Sequence, residues 1–480
     1  MRFSLRKVLC PRSAARTGAF LFTALCISLN ARPAPETNAV SAAPGWLTQP
    51  MSLLDAVRTA LGQNADILKS QHDLEVAHGI AIQTRAIVFP RLRASAEFEH
   101  NEAVEKSPKA VLVGTNDLGR PEDQWRGSIR LVQSVFEGGR MASALRAARL
   151  TREQALMDYQ TIVANTMLDV RTAYYDVLLA EQQIVVRDAS VKLLEAELTR
   201  TQQRLDQGLV PRFNVLRAEV AVANARPRLI RAREAARAAK NRLVTLLGYN
   251  LPQSVLADIP LTLTTKLEPE PYDLALPSAL AQARERRTEL MSLALELGIR
   301  RERVVDAKAG YMPSVGIFAG YNSHSSEFMD RFYEDVSGPL AGVQMNWDIF
   351  DGAATQGRVM EARARAAKAS INLDDQTRRI EQEVRTAYSK FLEAREVIES
   401  QKKVVEQAEE AVRLAESRYD AGAGTQLDVL DAETSLTEAR TTQVEAAHDF
   451  LVARARLERA IGYDVTQEAG RGTPSQKKNP

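Results

Sequence analysis

Four segments of the chain alternate between apolar and polar residues. Leu92, Ala94, Ala96 and Phe98 interleave with Arg93, Ser95, Glu97 and Glu99. Ile129, Leu131 and Gln133 alternate less cleanly with Arg130, Val132 and Ser134. Val315, Ile317, Ala319 and Tyr321 are separated by Gly316, Phe318, Gly320 and Asn322, and Val343, Met345, Trp347 and Ile349 follow Gly342, Gln344, Asn346 and Asp348. A period of two marks strands with one apolar face. Segments of about ten residues in this pattern suit a membrane barrel, and they also suit a half-buried soluble hairpin.

The rest of the pattern is helical. No Pro or Gly falls between Arg140 and Gln207, and the stretch is rich in Ala, Leu, Arg, Glu and Gln, the good helix formers. A second such stretch runs from Gly357 to Ala421. Sixty to seventy residues give a helix of about 100 Å, far beyond globular lengths, which points to a coiled coil or a tubular assembly. Leu193, Leu194, Leu198 and Leu205 form a narrow seam. Each long helix ends at a glycine, and Pro211 suits the first turn of the next helix. The following helices, 211–247 and 426–461, are only about half as long. Helices over Ser52 to Ala86 and Ser278 to Ala309 can supply the rest. Segments 211–247 and 278–309 together reach 69 residues, against 70 for 138–207. The short helices are therefore expected to meet near mid-height, beside a proline-rich stretch.

The chain also repeats itself. Arg204-Leu205-Asp206-Gln207-Gly208 returns as Arg418-Tyr419-Asp420-Ala421-Gly422, and Val215-Leu216-Arg217-Ala218-Glu219 returns as Val429-Leu430-Asp431-Ala432-Glu433, both at an offset of 214. The same offset carries Phe136-Glu137-Gly138 onto Phe350-Asp351-Gly352, Arg171-Thr172-Ala173-Tyr174 onto Arg385-Thr386-Ala387-Tyr388, and Gly248-Tyr249 onto Gly462-Tyr463. A fixed internal period means a repeated structural unit.

Arg2, Arg6, Lys7, Arg12 and Arg16 lead into the apolar run Gly18 to Leu29, and Val40-Ser41-Ala42 offers small residues for cleavage. This is the three-part pattern of a secretory signal, and the 12-residue run is too short to span a membrane. Both cysteines, Cys10 and Cys26, lie inside it. The mature chain then has no disulfide, no thiol chemistry and no cysteine metal site. Leu25, just before Cys26, argues against a lipid-anchoring cysteine. The chain is 45% hydrophobic and 26% charged with a net charge of +2, which implies no nucleic-acid partner. The expected organisation is a signal peptide (1–42), a first repeat (43–260), a proline-rich linker (261–277), a second repeat (278–465) and a disordered tail (466–480). Loops near 101–121 and 323–337 differ in length between the halves.

Four strands in two pairs behind an export signal favour the membrane reading. Four strands cannot close a barrel, and lipid forbids open edges. Strands that span a membrane would force the chain to oligomerise, and three copies would give twelve strands, an even number in the bacterial range.

Two repeats that each end in a turn of the form Gly-x(5)-Asn/Asp-Val-Leu-x-Ala-Glu resemble the TolC-like outer-membrane efflux proteins. The resemblance covers about 50–465. It implies a mainly α fold with membrane β. The tandem repeat would give four β-strands per chain to a trimeric, twelve-stranded outer-membrane barrel, continued by a long periplasmic α-helical barrel. It also implies a homotrimer in outer-membrane lipid that works as the passive exit duct of a tripartite efflux or type I secretion system. The duct would dock onto a periplasmic adaptor and an inner-membrane pump, carry small molecules or polypeptides, and be gated at its periplasmic tip.

The tip turns Gly208-Leu209-Val210 and Gly422-Ala423-Gly424-Thr425 are then expected to meet the adaptor. By resemblance, Asp428 and Asp431 line the tunnel tip, with Asn214 and Arg217 as their first-half equivalents. Three residues apart, the two aspartates share a helical face. Rings of acids draw cations, and the alternative role for Asp428 is to cap its helix N-terminus. Some family members lock the tip with an arginine and an aspartate. Gly424 and Asn214 stand at those places here. Arg217 paired with Asp428 or Asp431, or packing of Leu209, Phe213 and Leu427, is the expected substitute.

Two other classes compete. The five histidines (72, 78, 100, 324, 448) are scattered, and no nucleophile elbow, phosphate loop or metal-ligand cluster appears, so no enzyme and no cofactor is expected. A periplasmic coiled-coil adaptor would share the signal and the long helices. It would carry a lipoyl-like domain around one helical hairpin, where this chain has two hairpins.

Overall fold

The computed structural model describes residues 45–47, 49–100, 123–250, 259–325 and 335–463. The expected signal peptide and C-terminal tail lie outside the described residues, as does most of both expected strand loops. Eight helices and four strands follow in the order α1 (Leu53–Gln63), α2 (Ala65–Arg85), β1 (Arg91–His100), β2 (Asp123–Glu137), α3 (Arg140–Asp206), α4 (Arg212–Leu246), α5 (Leu276–Arg286), α6 (Thr288–Lys308), β3 (Ser314–Ser325), β4 (Asp335–Asn346), α7 (Ala354–Asp420) and α8 (Gln426–Ala460). The halves match element for element. Both long helices are 67 residues, both helices after the tip turns are 35, and the pairs before the strands are 11 and 21 in each half.

The strands form one antiparallel sheet in the order β1-β2-β3-β4. Leu92 pairs with Leu131, Leu131 with Ala319, and Ala319 with Ala341. Adjacent partners share a face, so the separate alternations merge into one apolar surface that carries Leu92, Phe98, Ile129, Tyr321 and Val343. The opposite surface carries Arg93, Glu97, Arg126, Arg130 and Asn322. The hairpins repeat in register as well as sequence: Ala94 faces Ile129 in the first, and Ile317 faces Val343 at the matching place in the second. β1 and β4 are the open edges of the sheet.

The helices continue the same order. Near the strands they pack as α2, α3, α6 and α7, and at the far end as α4, α3, α8 and α7. No helix among the described residues is long and apolar enough to cross a membrane.

The helices expected over Ser52–Ala86 and Ser278–Ala309 are each broken. Asn64 (ψ 129°) and Arg287 (ψ 115°) adopt extended backbone and split them. Only the 21-residue pieces continue the shorter helices, so a 35-residue and a 21-residue helix run beside each 67-residue one. The 11-residue pieces, α1 and α5, turn aside. The breaks are useful because each breaking residue joins two helix ends. Asn64 accepts from the amides of Asp66 and Ile67 at the start of α2 and donates to the Leu246 carbonyl at the end of α4 (2.8 Å). Arg287 donates to the Ala460 carbonyl at the end of α8 (3.2 Å). These side chains satisfy orphan groups that helix ends leave behind. The chain passes close beside each break at Gly248 and Gly462, which have φ of +84° and +72°. A Cβ on Gly248 would lie 2.5 Å from the Gln63 carbonyl oxygen.

The core sits at this mid-height. It gathers Ala56 and Val57 of α1, Val170, Ala173, Tyr174 and Val177 of α3, Ala279 of α5, Ile380 and Phe391 of α7, and Phe450 and Leu457 of α8. The proline-rich stretch is more than a connector. Ile259 and Leu261 are buried in the same core, Leu263 bridges to Met51, and Tyr272 meets Phe391 edge-on. The Tyr174 hydroxyl donates to the Met51 carbonyl (2.9 Å) and lies 3.0 Å from the Thr265 hydroxyl, which ties this belt to α3. The buried Arg171 reaches Glu458 at 2.7 Å. The Arg-Thr-Ala-Tyr motif is therefore a mid-height clasp in the first half. Its twin Arg385 is exposed.

Candidate functional site

The two turns at the end away from the sheet are built alike. Gly208 and Gly422 take φ of +75° and +73°, which favours glycine. Leu209 N–H then donates back to the Arg204 carbonyl and Ala423 N–H to the Arg418 carbonyl, both at 2.8 Å. This closure is the Schellman motif that ends helices. Beyond it the turns diverge. The first continues through Pro211, with no side-chain cap. In the second, Asp428 N–H donates to Thr425 Oγ1 (3.3 Å), and Thr425 N–H donates to Asp428 Oδ2 (2.8 Å), a reciprocal capping box. That backbone hydrogen bond holds the Asp428 carboxyl below the usual carboxylate range, so it stays ionised.

Capping is thus one role that Asp428 fills in the chain, and Asp431 is exposed beside it. Asn214 is half-buried after Pro211. The expected pairing of Arg217 with either aspartate is not formed among the described residues. Its guanidinium lies 5.0 Å above the ring of its own neighbour Phe213, one helical turn away. Leu209, Phe213 and Leu427 are exposed in the single chain. Gly424 has little room for a side chain, since a Cβ there would lie 3.2 Å from the backbone nitrogen of Tyr419.

The chain joins its two tips by other residues. Arg204, at the end of α3, reaches Asp420 Oδ1 at the end of α7 (2.6 Å), and its guanidinium stacks 4.5 Å over the ring of Tyr419. The sequence held a signal for this brace. Arg204 and Asp420 both lie in the repeated Arg-x-Asp segment, but nothing in one sequence says that the arginine of one copy meets the aspartate of the other.

A buried polar cluster sits further along the same helices. Glu197 and Thr201 of α3 meet Gln426 and Glu433 of α8, and all four are buried. Thr201 donates to Glu197 Oε1 (3.1 Å), and Gln426 Nε2 donates to Thr201 Oγ1 (2.9 Å). Glu433 Oε2 and Gln426 Oε1 have no partner. Burial, with Glu197 and Glu416 nearby and Arg200 only partly offsetting them, pushes the Glu433 carboxyl up to about 7. The repeat pointed to Glu433 as a motif residue but could not show that α3 buries it against a second carboxylate.

No group of three or more His, Cys, Asp or Glu among the described residues could hold a metal ion. The geometry is that of two helical hairpins joined near their tips, behind a sheet with one apolar face and two open edges.

Comparison with known proteins fits this geometry. The family model described as "Outer membrane efflux protein" matches residues 56–249 and 279–463, one stretch in each repeat. The chain is 23% identical over 429 residues to outer membrane protein TolC of Escherichia coli, covering 87% of this chain and 83% of that protein. It is 24% identical over 411 residues to the alkaline protease secretion protein AprF of Pseudomonas aeruginosa, covering 85% and 83%. Among solved structures, the Campylobacter jejuni CmeC outer membrane channel superposes with a TM-score of 0.74 at 15% identity, over 87% of this chain and 88% of that one.

Proposed function

The chain belongs to the outer membrane efflux protein family, and from that premise we propose that three copies close into a duct through which an inner-membrane pump exports its cargo. The protein is an exit duct of the outer membrane and reaches into the periplasm. The alternative of a periplasmic adaptor falls, because the chain carries two helical hairpins and one four-stranded sheet with an apolar face.

The observation that carries the trimer is the open sheet. In lipid, every backbone polar group needs a partner, and only closed barrels of strands satisfy that. The edges of β1 and β4 are unpaired in the chain. Pairing β4 of one copy with β1 of the next satisfies both, and three copies reach the twelve strands of a small outer-membrane barrel. The edge helices tell the same story. α4 exposes Phe213, Leu216, Val220 and Ile230, and α7 exposes Val397, Val404 and Leu414. Such apolar stripes on unpartnered edges suit helix packing against the next copy.

At the periplasmic tip, the six turns of a trimer converge. Asp428 and Asp431 supply an acidic ring there, and like charges at a constriction draw cations. Asn214 and Arg217 face this ring from the first-half turns. The Arg204–Asp420 brace with Tyr419 holds the two hairpins of one copy together in the closed tip. The turn residues Gly208, Leu209, Val210 and Gly422 to Thr425 form the surface offered to the periplasmic adaptor. A duct of this kind needs no catalytic group.

Planar-bilayer conductance of the purified full-length protein tests the proposal. The expected result is a small, cation-selective conductance that grows several-fold in Arg204→Ala and loses its selectivity in Asp428→Ala/Asp431→Ala. A monomer in detergent with no conductance would overturn the trimeric duct. Unchanged selectivity in the double variant would remove the two aspartates from the pore lining.

A further inference from the structure

The charges on the polar face of the sheet are not evenly spread. Arg93 and Arg130 are direct cross-strand partners, and Arg91 lies two residues earlier on the same face. All three are exposed, and none has an acidic partner among the described residues. Like charges placed directly opposite each other destabilise an antiparallel pair. The acids of this face are Glu97 and Glu99, nearer the far end of β1, where Glu97 already faces Arg126 at 3.8 Å, and Glu137 at the end of β2, whose carboxylate accepts from Ser134 and meets none of the three arginines.

The second hairpin offers no compensation. Its polar face opposite and beside the arginines carries Gly316, Phe318, Gly320, Leu340 and Gly342, with no charge. Along β4, the edge strand of a neighbouring copy, this face carries Val336, Gly338, Leu340, Gly342, Gln344 and Asn346 and no acid, and Asp348 follows only past the end of the strand. Gly320, the partner of Arg130 on β3, adds a steric clue. A Cβ there would lie 3.1 Å from Arg130 Cγ and 2.4 Å from the Ile129 carbonyl oxygen. The strand beside Arg130 is bare where that side chain crosses it.

We propose that Arg91, Arg93 and Arg130 form an anion-binding girdle inside the barrel, at the helix-proximal end of its strands, that receives cargo bearing carboxylate, sulfonate or phosphate groups. The proposal rests on the trimeric duct reading, which turns the polar face toward the lumen and the apolar face toward lipid. Three guanidiniums from each copy then ring one level of the pore. Guanidinium forks bind such oxyanions through paired N–H donors, and a ring of them sets the sign of the ions a pore prefers. The ring also explains why an unpaired arginine pair persists in the register: a passing or resident anion supplies the missing partner.

Two measurements on the full-length trimer test the girdle, each with Arg93→Gln/Arg130→Gln and with Arg149→Gln/Arg152→Gln as a charge-matched control at exposed positions of α3. The first is fluorescence anisotropy of the trisulfonated dye pyranine with detergent-solubilised protein. The second is the reversal potential under a potassium chloride gradient in planar bilayers. In the girdle variant, dye affinity is expected to fall roughly tenfold and selectivity to move further toward cations, while the control matches the parent. Equal dye affinity and equal reversal potential in parent and girdle variant would overturn the proposal and leave the duct intact. A protein that stays monomeric and never conducts would sink the duct and the girdle with it, even if its dye binding were lost in the arginine variant.

Discussion

Asn64 and Arg287 stand at the same place in the two repeats and do the same work with different atoms. Asn64 joins α4 to α2 through one amide, with two backbone N–H groups donating to its oxygen and its own nitrogen donating to Leu246. Arg287 joins α8 to α6 through a guanidinium that also holds Glu289 and Glu383, each at 3.0 Å. The same contrast recurs at every level. Helix lengths, hairpin register and the left-handed glycines at 138, 208, 248, 352, 422 and 462 are common to both halves. The side chains hung on that frame are not. The first half buries Arg171 and lines its hairpin with arginine, and the second exposes Arg385 and lines its hairpin with glycine. Backbone geometry must match for six hairpins to close one tube, but a trimer built from unlike halves is free to place a charge at every second position.

The sharpest break in the comparison is expected at the motif itself. Arg171→Ala leaves Glu458 buried beside only Arg454, and removing one partner of a buried ion pair costs about 3–5 kcal/mol. Arg385→Ala, at the exposed twin, should stay within about 0.5 kcal/mol. Thermal unfolding of both variants checks this, and equal losses would mean that the two motifs do the same job in the assembled trimer.

The helix junctions should differ less. Arg287→Ala removes a half-buried network and a helix C-cap, for an expected loss of about 2–3 kcal/mol. Asn64→Ala removes an N-cap and one bond to a carbonyl, for about 1–2 kcal/mol. Hydrogen exchange at the last turn of α4 and of α8 would separate them. Fraying of α4 in Asn64→Ala and of α8 in Arg287→Ala is expected, and fraying of neither would mean that Gly248 and Gly462 hold the junctions alone.

Most of the frame was legible in the sequence because it is written in periodicity and in breaks. Alternation marked the strands, the absence of Pro and Gly marked the long helices, and the offset of 214 joined the halves. The breaks at Asn64 and Arg287 were not legible. Neither is a Pro or a Gly, and both are extended because a carbonyl from a distant helix end rewards it. The belt from Leu261 onward read as a linker, since its prolines are visible in sequence and its burial partners are not. At the tip, the repeat marks the two turns at Gly208 and Gly422 but does not say which side chains meet within one chain. Arg217 lies on Phe213, and Arg204 takes the bridging role, because which hairpin faces which is a tertiary fact.

The smallest expected effect is the one that depends on pH. Glu433 and Glu219 are repeat twins, and only Glu433 is buried. Burial beside Glu197 pushes the Glu433 carboxyl from its ordinary 4.5 up to about 7. The folded tip therefore binds this proton more tightly than the unfolded chain does. Its contribution is fully present below about pH 4.5 and is lost as pH rises through 7, where a second buried carboxylate must ionise without a partner. Allowing for solvent screening, the loss is about 1–2 kcal/mol between pH 5 and pH 8. Glu433→Gln keeps the shape and removes the charge, so it should flatten that slope, with Glu219→Gln as the matched control. Hydrogen exchange over the first turns of α8 at the two pH values reads the effect where it arises. Parent protection that falls at pH 8, and Glu433→Gln protection that does not, would assign the pH dependence of the second tip to one carboxyl; parallel behaviour would return it to the acids at Asp428 and Asp431.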